Sequence, residues 1–302
     1  MASKKIDLSV IIISYNTKQI TRDCLESVYK SLNDPGSPTF EVIVVDNVSK
    51  DGSVEMFLGY EKKYDNFTLL ANNENVGFAR ANNQANKIAK GTHILLLNSD
   101  TVILKDAISS MFNYYTKHPE IHFLGPKLFN VDMTPQASAA AFYSPAVVFA
   151  ALFLRGDYWG LTRNSPDSTM QVDWVSGACI LCKKEYYDAI GGFDEGIFMY
   201  MDEVDMLFRA KKKGLITFFY HKAHVIHLGS ASSKSSVKRT APILQVYKGF
   251  RYFYEKHYSP FDLILLKIML QLKAGIALII GYLTNNSYLK STYEEALKLA
   301  RY

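Results

Sequence analysis

The feature that most constrains this chain is an apolar run that stops abruptly on polar groups: His93-Ile-Leu-Leu-Leu97 is followed at once by Asn98, Ser99, Asp100 and Thr101. A strand buried on both faces reads as a continuous hydrophobic run. Open α/β sheets build ligand crevices at the carboxyl ends of such strands, where strand order reverses. Asp100 is therefore the first candidate for chemistry. The pattern occurs three more times upstream. Leu8 to Ser14 is a β-branched run leading into Tyr15-Asn16, Phe40 to Val45 ends in Asp46-Asn47, and Phe67 to Leu70 leads into Asn72 to Asn75.

Helical patterns separate these runs. Thr17 to Leu32 carries Leu25, Val28, Tyr29 and Leu32 on one stripe. Gly52 to Tyr60 and Phe78 to Lys90 are the next two, the latter followed by Gly91 in the position favoured after a helix C-terminus. Strand and helix alternating in this way predict a parallel α/β sheet with all four polar ends along one edge. Such a crevice suits a nucleotide-sized ligand. Turn formation alone explains Asn, Asp and Gly at any one of these ends, but explains all four together less well.

The chain has 302 residues, 48% apolar and 21% charged, which gives one large domain or a domain with an appended segment and excludes disorder. A formal charge of +5, with short basic runs at Lys211-Lys212-Lys213 and Lys238-Arg239, fits solvated faces or a surface meeting anionic lipid or a phosphorylated substrate. No nucleic-acid partner is expected. Cys24, Cys179 and Cys182 make no even disulfide framework, and Cys179-Ile-Leu-Cys182 sits inside an apolar run, as buried structural thiols do. With no signal peptide before the first strand, a cytoplasmic location is expected. Neither a Gly-x-Gly-x-x-Gly nor a Gly-x-x-x-x-Gly-Lys-Ser/Thr loop follows any strand. A nucleoside diphosphate would then need another positive charge, and a divalent cation on oxygen ligands is the simplest, with Asp100 supplying one oxygen.

Four ordered segments carry a family resemblance. Val10-Ile-Ile-Ile-Ser-Tyr-Asn16, Val44-Val-Asp-Asn-Val-Ser-Lys-Asp-Gly-Ser53, Asn75-Val-Gly-Phe-Ala-Arg-Ala-Asn-Asn83 and Leu96-Leu-Asn-Ser-Asp-Thr101 resemble the motifs of GT-A fold family 2 glycosyltransferases. The nearest pattern is the rhamnosyltransferase-like branch, which decorates lipid-linked or polymeric bacterial glycans; the likeness covers residues 7–232. It implies an α/β GT-A fold: a mostly parallel Rossmann-like sheet flanked by helices, with a C-terminal helical segment. The implied division is a domain over 1–240, with a nucleotide-sugar half (1–130) and an acceptor and catalytic half (131–240), followed by 241–302. Ser14, Tyr15, Asn16 and Asp46 would contact base and ribose. Asn75, Gly77, Arg80 and Asn82 would line the donor pocket, and Asn98 and Ser99 would complete it. Asp100 resembles the last acid of a metal-binding Asp-x-Asp motif for Mg²⁺ or Mn²⁺. Asn98 replaces the first acid; its amide oxygen can still ligate a hard cation but brings no charge.

The second half supplies the remaining candidates. Trp174, Gly177 and Ala178 resemble the segment bordering the acceptor site, although a packed core aromatic is the plain alternative for Trp174. Gly191-Gly192 marks a loop where backbone can approach closely. The densest acidic cluster, Met201-Asp202-Glu203-Val204-Asp205, precedes a stripe of Val204, Leu207 and Phe208, so the acids sit at a helix start with Asp202 as the expected cap. The resemblance makes the second residue of the acidic pair, Glu203, the general base, with the assignment between Asp202 and Glu203 open. An acceptor hydroxyl needs such a base, and the departing diphosphate needs a cation. It also implies inversion without a covalent intermediate. His221, His224 and His227 are three apart, so on a strand they cannot all converge; the resemblance places His227 in the metal shell. The small, polar stretch from Gly229 to Ser236 suits a loop that orders over a bound donor.

From Ala241 the pattern becomes helical. Phe261 to Leu283 is strongly apolar but interrupted by Asp262, Lys267, Gln271 and Lys273. This suits a segment lying at a membrane surface, or else a surface for oligomers, including a homodimer, or for domain packing. Tyr288 to Tyr302 is expected to form a last amphipathic helix. The expected donor is a nucleotide-diphosphate sugar, dTDP-rhamnose first and UDP-hexoses next. The expected acceptor is a polyprenyl-diphosphate-linked sugar or a polysaccharide terminus. Two rivals remain in view, a nucleotidyltransferase and a non-catalytic glycan-binding protein.

Overall fold

A computed structural model describes residues 5–197, 200–229 and 240–301. The strands in chain order begin with β1 (Leu8–Ser14), β2 (Phe40–Asp46), β3 (Phe67–Ala71), β4 (His93–Asn98), β5 (Thr101–Ile103) and β6 (Phe123–Phe129). They continue with β7 (Pro135–Gln136), β8 (Ala139–Ala140), β9 (Arg163–Asn164), β10 (Met170–Val172), β11 (Trp174–Val175), β12 (Cys179–Lys183) and β13 (Thr217–His227). The helices are α1 (Lys18–Ser31), α2 (Ser53–Lys63), α3 (Phe78–Ile88), α4 (Ala107–Lys117), α5 (Pro145–Phe153), α6 (Lys184–Ala189) and α7 (Asp202–Lys212), then α8 (Thr240–His257), α9 (Pro260–Leu283) and α10 (Ser287–Arg301).

The main sheet has the order β10-β13-β6-β12-β4-β1-β2-β3, with β5 added to β13 and β7 to β6; β11, β8 and β9 form a small second sheet. β3, β2, β1 and β4 are parallel. β12 enters antiparallel between β4 and β6, and β13 then pairs parallel with β6. Strand order therefore reverses at β1, which lies between β2 and β4.

Both faces of the sheet are covered, which is why the strands are apolar throughout rather than alternating. Ile11, Val45, Ile94, Leu96 and Cys182 face one core layer, which continues through α3, α7 and α8. Val10, Val44, Leu95, Leu97 and Cys179 face the other, under α1, α2 and α4. Cys179 and Cys182, three apart on β12, fall in opposite layers; all three cysteines are free, and burial pushes the Cys24 thiol up to about 12.

Three features differ from the sequence reading. Gly91 is not a left-handed helix cap: α3 ends at Ala89 in extended backbone. A Cβ at Gly91 would lie 2.5 Å from the Ser9 amide nitrogen, so glycine serves close packing against β1. The stretch Gln171 to Cys182 is three short strands belonging to two sheets. Asp202 is the first residue of α7 and not its cap; Met201, left-handed at φ 69°, holds that position. The loop from Gly229 to Ser236 and the run Lys238-Arg239 lie outside the described residues beyond Gly229.

Candidate active site

The register of the parallel strands builds the crevice. Ser14 pairs across from Asp46, and Ile13 across from Asn98, so the ends of β1, β2 and β4 reach the same edge. The loops that follow are stapled together. Asn16, left-handed at φ 53°, receives the Lys50 amide on Oδ1 at 2.7 Å and donates its own amide to Ser49 Oγ at 2.8 Å. Lys18 donates its amide to Asp51 at 2.8 Å, and Tyr15 stands 40% exposed at the rim. Asp46 is fully buried; one oxygen accepts the Ser49 amide at 2.8 Å, while Oδ2 has no hydrogen-bond partner in the structure. A buried carboxylate oxygen without a donor is costly unless a ligand supplies one.

The segment after β3 closes one side. Asn75 Oδ1 accepts the Gly77 amide at 3.0 Å, and Asn47 donates to the Gly77 carbonyl at 3.4 Å. Arg80 is half-exposed and paired with Glu195 at 3.1 Å. Asn82 is buried and donates to Phe78 O of its own helix at 2.9 Å, so its side chain is spent inside α3. Its neighbour Asn83, the last residue of the Asn75-to-Asn83 segment, links three groups: it donates to Phe193 O and Glu195, and accepts from Tyr187 Oη at 2.7 Å. Gly192 packs against it so closely that a Cβ there would lie 2.4 Å from Asn83 Oδ1.

At the end of β4, the Asn98 amide donates to the Ala178 carbonyl at 2.9 Å, and its carbonyl accepts from Thr101 Oγ1 at 2.8 Å. Ser99, between them and Asp100, is half-buried. β5 pairs with β13 so that Thr101 stands opposite His227, and this brings His227 Nε2 to 3.3 Å from Asp100 Oδ1. The other ring nitrogen, Nδ1, lies 2.7 Å from Gln136 Oε1, and Gln136 also donates to the His227 carbonyl at 3.2 Å. His221 instead meets Thr169, and the exposed His224 meets the His221 carbonyl. Among the described residues no cluster of three or more His, Cys, Asp or Glu side chains forms. The Asp100 carboxylate suits Mg²⁺ or Mn²⁺ when a ligand's phosphate oxygens and water complete the shell, and the His227 imidazole would add one nitrogen donor.

The acidic helix start divides into three roles. Glu203 Oε1 accepts the Gly177 amide at 3.3 Å, and a Cβ on Gly177 would sit 3.4 Å from Glu203. Asp202 is 6% exposed with Oδ1 unpartnered; burial first, then the neighbouring Glu203, push its carboxyl up to about 8. Asp205 is fully buried, and burial alone would raise its pKa. Instead His257 Nε2 at 2.6 Å, Lys256 Nζ at 2.7 Å and Arg209 Nε at 2.7 Å hold it well below the carboxylate range. Arg209 also donates to the carbonyls of Ile190 and Gly192, which ties the Gly-Gly loop to α7. The turn into the helix is held by Gly249 of α8, where a Cβ would press on Met201 at 3.0 Å. Trp174 is buried, donates to Ala141 O at 2.9 Å and lies beneath the Arg163 guanidinium; Ala178 is buried as well. Within this segment it is Gly177 that meets the acidic pair.

Residues 9–187 match glycosyl transferase family 2, and the chain belongs to that family. It is 26% identical over 241 residues to the N-acetylglucosaminyl-diphospho-decaprenol L-rhamnosyltransferase of Mycobacterium tuberculosis, covering 73% of this chain and 75% of that protein. It is 32% identical over 136 residues to the putative teichuronic acid biosynthesis glycosyltransferase TuaG of Bacillus subtilis, 45% of this chain and 52% of that one. Two solved structures share the fold. S. aureus TarS 1-349 matches with a TM-score of 0.58 at 18% identity, over 98% of this chain and 80% of that one. The mannosyltransferase PcManGT of Pyrobaculum calidifontis, in complex with GDP-Man and Mn²⁺, matches with a TM-score of 0.59 at 14% identity, over 99% and 87%. The protein is a glycosyltransferase of GT-A fold, with a mostly parallel sheet and C-terminal helices.

Proposed function

We propose that this enzyme transfers a sugar, rhamnose from dTDP-rhamnose, to a hydroxyl of a lipid-linked bacterial glycan with inversion at the anomeric carbon. The observation that carries the reading is the convergence on one sheet edge of the Asp100–His227 pair, the Ser14–Asp46–Asn98 strand ends and Glu203 at Gly177. The mycobacterial rhamnosyltransferase, matched along three-quarters of its length, supports both the sugar and a polyprenyl-diphosphate acceptor. Such an acceptor places the enzyme at the inner face of the cytoplasmic membrane.

Asp46, Asn16 and Asn75 then hold the nucleoside, and Arg80 borders the donor. Asp100 and His227 are the residues that would hold Mg²⁺ or Mn²⁺, whose charge offsets that accumulating on the leaving diphosphate. The Glu203 carboxylate takes the proton from the acceptor hydroxyl as its oxygen bonds to the anomeric carbon. The bond from that carbon to the diphosphate oxygen breaks on the opposite side, and the nucleoside diphosphate departs with the electron pair. Asp202 is held neutral by burial beside Glu203, and Asp205 is committed to His257, Lys256 and Arg209, so proton abstraction falls to Glu203.

Release of nucleoside diphosphate from dTDP-, UDP- and GDP-sugars, with Mn²⁺ or with chelator and with polyprenyl-diphosphate-GlcNAc as acceptor, tests this reading. Acceptor-stimulated, metal-dependent turnover of dTDP-rhamnose is expected. Preference for a UDP-hexose would overturn the donor assignment, and turnover unaffected by chelator would overturn the metal.

A further inference from the structure

The 24 residues of α9 include a window of mean hydropathy 2.2, yet only 28% of that window is buried, so most of its apolar surface faces outward. At about 100° per residue, Phe261, Ile264, Ile268, Leu272, Ile279 and Leu283 fall on one stripe, and each is at least 47% exposed. The stripe runs for roughly 33 Å. No charged residue interrupts it: Lys267 flanks it on the Ile264 side, Lys273 lies round toward the protein-facing side, and Asp262 is engaged in the Ser259 capping box at the helix start. The opposite face of α9, with Leu266, Met269, Leu270 and Ala274, is buried in the protein core. A helix held along its length on one side lies flat against a partner and does not cross a bilayer alone.

The neighbouring α5 is tied to α9. Lys273 Nζ donates to the Leu152 carbonyl at the end of α5, at 2.8 Å. The segment just beyond α5 presents Tyr158 and Trp159, 76% and 68% exposed with rings edge to face at 5.0 Å, beside the exposed Arg155. Exposed Trp and Tyr beside Arg, on the segment that follows the helix packed against α9, together with an exposed Ile/Leu/Phe stripe flanked by Lys267, is the composition of a surface seated among lipid headgroups. Monomeric soluble proteins rarely keep an apolar strip of this length in water.

We infer that the exposed stripe of α9, together with the Tyr158–Trp159 corner, is a docking face for an anionic phospholipid bilayer, with α9 parallel to the membrane plane. The inference builds on the lipid-linked acceptor proposed above, because it gives the enzyme a fixed seat on the surface where that acceptor lies. It also names which lipid chemistry holds it there: acyl chains under the stripe, and phosphates facing Lys267 and Arg155.

Co-sedimentation of the full chain with phosphatidylcholine vesicles, with and without phosphatidylglycerol, tests the face. The wild type is expected to bind, more strongly with phosphatidylglycerol. The variant carrying Ile264→Asp, Leu272→Asp and Ile279→Asp should lose about tenfold or more of that binding. Because the three side chains are exposed, its melting temperature should match the wild type and confirm folding. Its nucleoside diphosphate release with a short soluble acceptor should also be unchanged. Equal vesicle binding by wild type and variant would sink the inference. A wild type that ignores vesicles but is a dimer by light scattering, and a monomer when so substituted, would assign the face to a second copy instead. Vesicle binding without turnover of any donor would leave the docking face standing and remove the rhamnosyl-transfer reading alone.

Discussion

Glu203 is aimed by the backbone of Gly177: its Oε1 accepts that amide at 3.3 Å, across 26 residues of sequence. The bond crosses from the start of α7 to the turn leading into β12, and Ala178 in turn accepts from Asn98 at the end of β4. The carboxylate is thus referenced to the strand end where the donor is proposed to bind.

Replacing Glu203 by Gln keeps the shape and removes the proposed base. Turnover should fall about 10²- to 10⁴-fold with nucleotide affinity unchanged, and Glu203→Asp should recover part of the loss. Steady-state rates together with calorimetric nucleotide titration check this; a Gln variant as fast as wild type takes Glu203 out of the mechanism.

His227→Ala removes one of the two side chains proposed for the cation. The Mn²⁺ concentration needed for half-maximal activity should rise about 10- to 100-fold. Mn²⁺ binding read by paramagnetic resonance should weaken in parallel, whereas metal-free nucleotide binding stays the same. Identical Mn²⁺ titrations for variant and wild type would remove His227 from the cation shell.

Asp202, raised to about 8, makes stability depend on pH in a definite sense. Between the ordinary carboxylate value and 8 the unfolded chain releases this proton while the folded chain keeps it, so Asp202 lowers stability progressively as pH rises through that window. Asp202→Asn should flatten the curve and raise the melting temperature at neutral pH by on the order of 2–4 °C. Parallel melting curves from pH 4 to 8 for variant and wild type would contradict the burial argument.

Asp205 has the opposite sign. Its stabilisation is intact above the ordinary carboxylate value of 3.8 and is lost as pH falls toward its own lower value. Asp205→Asn leaves His257, Lys256 and Arg209 without their shared acceptor and should cost about 3 kcal/mol. Denaturant unfolding measures it, and a change under about 0.5 kcal/mol would show that the cluster contributes nothing net.

The four parallel strands and their polar ends were legible because each is a doubly buried run that stops on hydrogen-bonding residues. Helix stripes such as Leu25 and Val28 were legible for the same reason. The partners that hold the site were not. Gln136 reaches His227 across 91 residues and His257 reaches Asp205 across 52, and neither contact leaves a local pattern in the chain. The Asn82–Asn83 pair shows the limit at single-residue scale. Both amides share one helix, and only packing against Gly192 and Tyr187 decides that Asn83 bridges outward while Asn82 turns back on Phe78. Gly91 resembled a helix terminator because Ser9, whose backbone leaves no room for a side chain there, lies far away in sequence on β1.

The antiparallel entry of β12 beside β4 fixes more than a pairing pattern. Donor-side groups arrive at the edge from the amino-terminal direction and Gly177 arrives from the other, matched at Leu97 with Cys179. A slip of one residue in that pairing would carry Gly177 about 3.4 Å along the strand and reverse the side chains of β12 between the two core layers. On the proposed reading, the reach from donor to base is therefore gauged by a ladder in the middle of the sheet, where inserting or deleting one residue would move the site and invert the core packing of β12 in the same stroke.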